Sequence, residues 1–394
     1  MQKLLVLLAI VVAVNSLDNG LAKTPPMGWL QWERYRCIID CDTYPKQCVS
    51  DGLFRRTADI MEADGYLKAG YSYVNIDDCW PEHARTEDGT LVADKKRFPN
   101  GIKELADYVH GKGLKLGIYT DFGTLTCGGY PGSIFHMQKD ANTFAEWGID
   151  MLKVDGCYSC NNLFHDGYET FGFWLNQTQR PILYSCSWPA YIPKDKPYKE
   201  IAKYCNIWRN YGDIQDSWGS VMSIINYNGD HQDEIIPYVS NGAYNDIDML
   251  LIGDYSLSED QSKTQFAMWS ILAAPLFMSA DLSSMKDWQK DILLNTEVIA
   301  VNQDPMGKMG RRFYKQNNQQ NWVRDLADGG MAVAIMSTRE DNPVFMSVDF
   351  SQLKITTPMH VRDLYQHKDL GVFNGTFKAM VNPSGVVMVK LTKA

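Results

Sequence analysis

Eight short apolar runs, each ending in a carboxylate, an aromatic or a basic residue, recur along the first three quarters of this chain. In order they are MGWLQW (Met27 to Trp32), YVNIDDCW (Tyr73 to Trp80), LKLGIYTD (Leu114 to Asp121), MLKVDGC (Met151 to Cys157), ILYSCSW (Ile182 to Trp188), NIWRNYGD (Asn206 to Asp213), NDIDML (Asn245 to Leu250) and APLFMS (Ala274 to Ser279). Amphipathic stretches such as Leu53 to Gly70 and Gly101 to Gly113 separate most of them, so strand and helix alternate. That alternation builds parallel βα units, and eight of them close into a barrel. The expectation is an α/β fold, a (β/α)8 TIM barrel over residues 17–305. Polar residues at its strand C-termini would converge on one mouth, where such barrels keep their chemistry.

Near Asn302 to Gly310 the alternation stops. Met331 to Thr338, Pro343 to Phe350 and Gly385 to Thr392 then show partial period-2 alternation with turn residues between them, which predicts an antiparallel β-sandwich domain over residues 306–394. Gly111-Lys112-Gly113 with Gly117 lies between a helix and a strand and lacks dinucleotide-binding spacing, so it reads as a helix stop.

The first sixteen residues combine Lys3, an apolar run from Leu4 to Val14, and small residues at Val14 and Ser16. This predicts a signal peptide over residues 1–16 and a mature chain routed through the secretory pathway; the run is too short to span a bilayer comfortably, and no later stretch is long and apolar enough to act as a membrane anchor. Lys and Arg total 38 against 47 Asp and Glu, a net charge of -9 without a basic block, which argues against a nucleic-acid partner. The sequons Asn176-Gln177-Thr178 and Asn374-Gly375-Thr376 mark Asn176 and Asn374 as glycosylation sites, whereas proline excludes Asn382-Pro383-Ser384. Nine cysteines in an exported chain predict four disulfides and one leftover thiol, with 105 pairings of any eight left open. Cys157 and Cys160 lack a matching second pair and the seven histidines are scattered, so no metal site or other cofactor is expected.

Asp155 ends the run Met151 to Val154, and side-chain alternation puts Lys153 on its face of the strand. A strand-end Asp often only caps the next helix. Here Asp213 closes a second run and Asp77-Asp78 a third, so several carboxylates meet at one mouth, where burial and like charge drive pKa values apart. Two carboxyl groups about 5 Å apart support a retaining glycosidase mechanism. Trp29, Trp32, Trp80, Tyr119, Trp188 and Tyr191 fall near the same mouth; core packing is the ordinary use of any one of them and the favoured reading for Trp29 and Trp208, but together they suit a sugar's apolar face.

At these residues the chain resembles glycoside hydrolase family 27, the α-galactosidase and α-N-acetylgalactosaminidase family, over nearly its whole mature length. The start Leu17 to Cys37, then IDDCW, KLGIY, MLKVDGC, WRNYGDIQDSW and AAPLFMS, follow in family order. The resemblance implies Asp155 as nucleophile and Asp213 as general acid/base. It places Asp77 and Asp78 at the sugar's 4- and 6-hydroxyls, Lys153 and Arg209 toward its 3- and 2-positions, and Trp32, Tyr119 and Met278 in the wall. It also implies the pairs Cys37 with Cys79, Cys41 with Cys48, Cys127 with Cys157 and Cys186 with Cys205, leaving Cys160 free. A lysosomal or secreted homodimer acting on α-GalNAc- or α-Gal-terminated glycans is the family-level expectation.

Specificity turns on the loop after the fifth strand, Cys186 to Tyr191. Family members selective for galactose carry Glu and Leu where Ser187 and Ala190 stand. The smaller pair leaves room for a 2-acetamido group beside Tyr191, which predicts an α-N-acetylgalactosaminidase with weaker α-galactosidase activity. A sugar-binding protein on an inactive barrel is the rival of another class, and retention of both Asp155 and Asp213 counts against it. The segment Ser240 to Asp248 departs from the family, which usually has a Gly-Pro-Gly turn, a Trp and Asn-Asp-Pro-Asp there; Asp246 and Asp248 read as supporting groups.

Overall fold

In the computed structural model, which describes residues 17–394, the eight apolar runs become eight short parallel strands. They are β1 (Met27–Leu30), β2 (Tyr73–Asn75), β3 (Lys115–Asp121), β4 (Met151–Asp155), β5 (Leu183–Cys186), β6 (Ile207–Arg209), β7 (Tyr244–Asp246) and β8 (Leu276–Met278). Nearly every strand residue is buried, because the barrel's filled interior covers one face and the ring of helices the other. That double burial is why the strands read as continuous apolar runs. The expected signal segment lies outside the described residues, and no described helix is long and apolar enough to cross a membrane.

The strands pair in the order β7-β6-β5-β4-β3-β2-β1-β8. The chain closes this sheet just after β7: the Leu250 amide donates to Phe277 O (2.8 Å) and the Ser279 amide to Leu250 O (3.0 Å). Between β7 and that closure Asp248 takes a φ of 77°, a left-handed conformation uncommon for a residue with a Cβ. Helices pack outside by burying one stripe. Asp51–Ala63, for example, turns Leu53, Phe54, Thr57, Ala58 and Met61 inward, a spacing of one helical face.

Eight further strands follow: β9 (Arg311–Gln316), β10 (Gln319–Asp325), β11 (Met331–Ser337), β12 (Val344–Asp349), β13 (Met359–Asp363), β14 (Lys368–Phe373), β15 (Thr376–Val381) and β16 (Val386–Lys393). Six form an antiparallel sheet ordered β14-β13-β16-β11-β10-β9, and β12 pairs with β15. Alternation along β11 sends Ala332, Ala334 and Met336 to the barrel side and Val333 and Ile335 to a second core shared with Val348, Phe350 and Phe377. The helix Glu259–Ile271 lies between the two parts and is buried on almost every side; Ser258 and Gln261 cap its start reciprocally. Arg324 of β10 reaches across to Ser270 O (2.7 Å) and Asn302 O (3.1 Å).

The first part of the departing segment, Ser240 to Ala243, precedes β7 and therefore lies at the end of the barrel opposite the mouth, whereas Asp248 lies beyond β7 at the mouth. Hydrogen bonds shape it where the family uses prolines. Ser240 and Ala243 exchange backbone bonds of 2.9 Å, the Gly242 amide donates to Ala22 O (2.8 Å), and Asn241 Nδ2 donates to Lys23 O (2.8 Å) and Pro305 O (3.0 Å). Gly242 sits at a φ of 89°, which glycine adopts without strain.

Candidate active site

One cavity of about 320 Å³ opens at the strand C-termini. Trp32 enters from beyond β1, Asp77 and Asp78 from beyond β2, Tyr119 from β3, and Lys153 and Asp155 from β4. Arg209 enters from the end of β6, and the loops after β5 and β6 add Ser187, Ala190, Tyr191 and Asp213. Tyr211, Gly212 and the sulfur-bearing Cys127 and Cys157 complete the lining.

Asp155 is held on both carboxylate oxygens. Its Oδ1 accepts from the Tyr191 hydroxyl (2.5 Å) and the Gly156 amide (3.1 Å), and its Oδ2 accepts from the Tyr119 hydroxyl (3.3 Å). Asp121 is paired in register with Asp155 across β3 and β4. Burial, reinforced by the Asp155 charge, pushes its carboxyl up to about 9, so it sits beside Asp155 as a neutral acid. Its Oδ2 accepts from the Cys157 amide (3.0 Å), while its buried Oδ1 has no protein partner.

On the neighbouring wall Lys153 Nζ donates to Asp77 Oδ2 (2.6 Å). Burial disfavours the ammonium, but Asp77 and Asp155 outweigh it and hold the lysine above its ordinary value. Asp78 accepts from the Cys79 amide (2.6 Å) and the Gly128 amide (2.6 Å), yet burial still raises it to about 6. Gly128 is required for that approach, since a Cβ there would stand 2.8 Å from the Cys79 sulfur and 3.0 Å from Asp78 Oδ2.

Asp213 contrasts with these groups, its side chain being 63% exposed on the loop after β6. The Arg209 guanidinium, 3.1 Å away, holds its carboxyl below the usual carboxylate range against the opposing effect of burial. Arg209 also pairs with buried Asp248 (2.9 Å), whose Oδ2 accepts from the Ile214 amide (2.8 Å). Asp248 thus ties the arginine to the loop that carries Asp213, and Asp246 supports it by accepting the Asp248 amide (2.9 Å).

Four disulfides join Cys37 to Cys79, Cys41 to Cys48, Cys127 to Cys157 and Cys186 to Cys205; Cys160 is free and exposed. The one grouping of potential metal ligands among the described residues is Asp121 with Cys127 and Cys157, and both sulfurs are already bonded to each other. Asn176 and Asn374 are exposed, the first near the end of the helix Phe164–Gln177 and the second in the turn between β14 and β15.

Several expectations need correction. Met278 does not line the cavity: it is fully buried in β8, paired in register with Trp29. Trp80 and Trp188 are likewise core residues, and Trp29 and Trp208 take the core positions expected of them, leaving Trp32, Tyr119 and Tyr191 as the aromatic wall. Asp121, Tyr211 and Gly212 were not predicted. Asp121 carries the same signal as Asp155, a carboxylate closing a buried run, and register with β4 is what gives it a place beside the site.

Comparison with known proteins gives a consistent result. Residues 24–304 match the family model described as alpha galactosidase A, and residues 316–391 that of the alpha galactosidase C-terminal beta sandwich domain. The chain is 48% identical over 381 residues to alpha-N-acetylgalactosaminidase from Gallus gallus, covering 94% of each chain. It is 44% identical over 398 residues to alpha-galactosidase A from Homo sapiens, covering 97% of this chain and 91% of that protein. Among solved structures, alpha-galactosidase I from Mortierella vinacea superposes with a TM-score of 0.87 at 32% identity, covering 96% of this chain and 99% of that one.

Proposed function

Because this chain belongs to glycoside hydrolase family 27, we propose that it is a retaining exo-glycosidase that removes terminal non-reducing α-N-acetylgalactosamine from glycoproteins and glycolipids. Asp155 attacks the anomeric carbon while Asp213 gives its proton to the departing glycosidic oxygen, leaving a covalent glycosyl-enzyme. Asp213, now ionised, takes a proton from water; the water oxygen attacks the same carbon and Asp155 is released. The hydrogen bonds from Tyr191, Tyr119 and Gly156 support the nucleophile's role by fixing both of its oxygens. Arg209 favours the ionised Asp213 that the second step needs. Asp77, Asp78 and Lys153 supply acceptors and a donor for the sugar hydroxyls.

The observation that carries the N-acetyl assignment is the pair Ser187 and Ala190 in the cavity wall. The Ser187 hydroxyl can bond the acetamido group, and the Ala190 methyl can pack on its methyl. The kcat/KM for p-nitrophenyl α-N-acetylgalactosaminide, measured against p-nitrophenyl α-galactoside at acidic pH, tests it. Preference for the first is expected, and the double variant Ser187→Glu, Ala190→Leu shifts preference toward the galactoside; unchanged ratios overturn the assignment. Galactose carries a hydroxyl in place of the acetamido group and fits the same space, so weaker α-galactosidase activity accompanies the main one. The resemblance supports a homodimer delivered to the lysosome or secreted, which light scattering and localisation of a tagged chain check.

A further inference from the structure

Beside the sugar cavity runs a second groove of about 810 Å³, more than twice its volume. The two meet at Ala190, Tyr211 and Gly212, which line both. Tyr211 and Gly212 of that junction immediately precede Asp213 in the chain.

We propose that this groove is the aglycone site and takes a neutral oligosaccharide, the penultimate sugar stacking on Tyr211 and the next ring lying beyond it. This rests on the glycosidase reading above and deepens it.

Three observations carry the assignment. The first is an aromatic platform at the entrance. The Tyr211 ring is 38% exposed and backed by a stack, Tyr211 on Tyr227 at 4.2 Å and Tyr227 on His231 at 4.3 Å between centroids. A ring supported from behind presents its free face at little conformational cost, and such faces suit the C–H side of a pyranose. The second is that the floor is preformed. Lys196 Nζ donates to Asn210 O (2.5 Å) and Oδ1 (3.2 Å), and the Tyr198 hydroxyl donates to the same Oδ1 (2.6 Å). These bonds tie the loop after β5 to the end of β6, so the space does not have to be opened by the ligand.

The third is the character of the lining. Lys194, Asp195, Asp233 and Glu234 face the groove, and burying them under an acyl chain would strip their hydration without replacing it. An extended peptide would gain most from an unpaired strand edge, but every lining residue belongs to a loop or a helix. A hydroxyl-rich chain satisfies both the rings and the polar rim.

The test compares four substrates on the mature protein: α-N-acetylgalactosaminyl fluoride, a disaccharide and a trisaccharide ending in α-N-acetylgalactosamine, and a peptide bearing α-N-acetylgalactosamine on threonine. The trisaccharide should exceed the disaccharide in kcat/KM by about 3- to 10-fold, the effect of one further ring held in the groove. Pro237→Trp, at an exposed position on the groove wall to which no contact is assigned, should fill the groove and erase that gain while leaving fluoride turnover within about twofold. Tyr211→Ala should lower both oligosaccharides more than the fluoride. Equal kcat/KM for both oligosaccharides, a gain that survives Pro237→Trp, or preference for the glycopeptide overturns the proposal. Failure of the wild type to cleave the fluoride would instead overturn the glycosidase reading beneath it.

Discussion

The wall of the cavity formed by β2, β3 and β4 carries its groups on or immediately beyond strand ends, whereas the opposite wall carries Ser187, Ala190, Tyr211 and Asp213 on the loops after β5 and β6. The first wall is buried: Asp77, Asp78 and Lys153 are 2%, 1% and 8% exposed. The second is open, with the Asp213 side chain 63% exposed. Groups that must meet an invariant part of the substrate are fixed by ladder hydrogen bonds and packing. Groups that meet its variable parts, the 2-substituent and the aglycone, ride on segments that change without disturbing the barrel.

If that division holds, substitutions on the two walls fail in different ways. Asp155→Asn on the strand wall should lower kcat by about 10⁴-fold or more on every substrate, since no other group supplies the nucleophile. Retained turnover would break the comparison at its root. Asp213→Asn on the loop wall should cost about 10²- to 10⁴-fold on natural glycosides but far less on substrates with activated aryl leaving groups, which need little proton assistance. Equal losses on both would show that Asp213 is not the acid. Tyr191→Phe removes the 2.5 Å bond to Asp155 and should lower kcat by roughly 10- to 100-fold, in line with a hydrogen bond to a charged group.

The last prediction concerns pH and turns on two carboxyls of the strand wall. Folding raises Asp121 to about 9 and Asp78 to about 6, above the value near 4 of an unfolded chain. The folded state therefore keeps protons that the unfolded chain has released. Stability should fall as pH rises from about 4 to 6 through Asp78, and on toward 9 through Asp121, by about 1.4 kcal/mol per pH unit for each group inside its window. Melting temperature should accordingly be higher at pH 5 than at pH 8, and Asp121→Asn should flatten the upper part of the profile. A profile that rises with pH would show the carboxyl ionised in the folded protein.

How much of this was legible in the sequence follows the same division. Strands buried on both faces announce themselves as apolar runs, so all eight barrel strands could be read. In the β domain only β11, β12 and β16 stood out; β9, with sequence RRFYKQ, and β14, KDLGVF, keep mixed or largely exposed side chains. The carboxylates and Lys153 were legible because they close buried runs. The assignment of Trp80 and Trp188 to the mouth failed because position near a strand end does not say which side of the wall a ring takes. The second groove has no sequence signature, being assembled from three separate stretches, 190–198, 210–212 and 227–238, that only the fold brings together.

The Cys127–Cys157 bridge joins the loop after β3 to the loop after β4, within 3.3 Å of the hydroxyl through which Tyr191 grips the nucleophile. Strand pairing alone would assemble the barrel, but it would leave these two loops free to part. Competence of the site therefore records the redox history of each molecule. A copy matured in an oxidising lumen carries a covalent clamp behind Asp155, and a copy made where thiols stay reduced carries the same carboxylates in a slack frame.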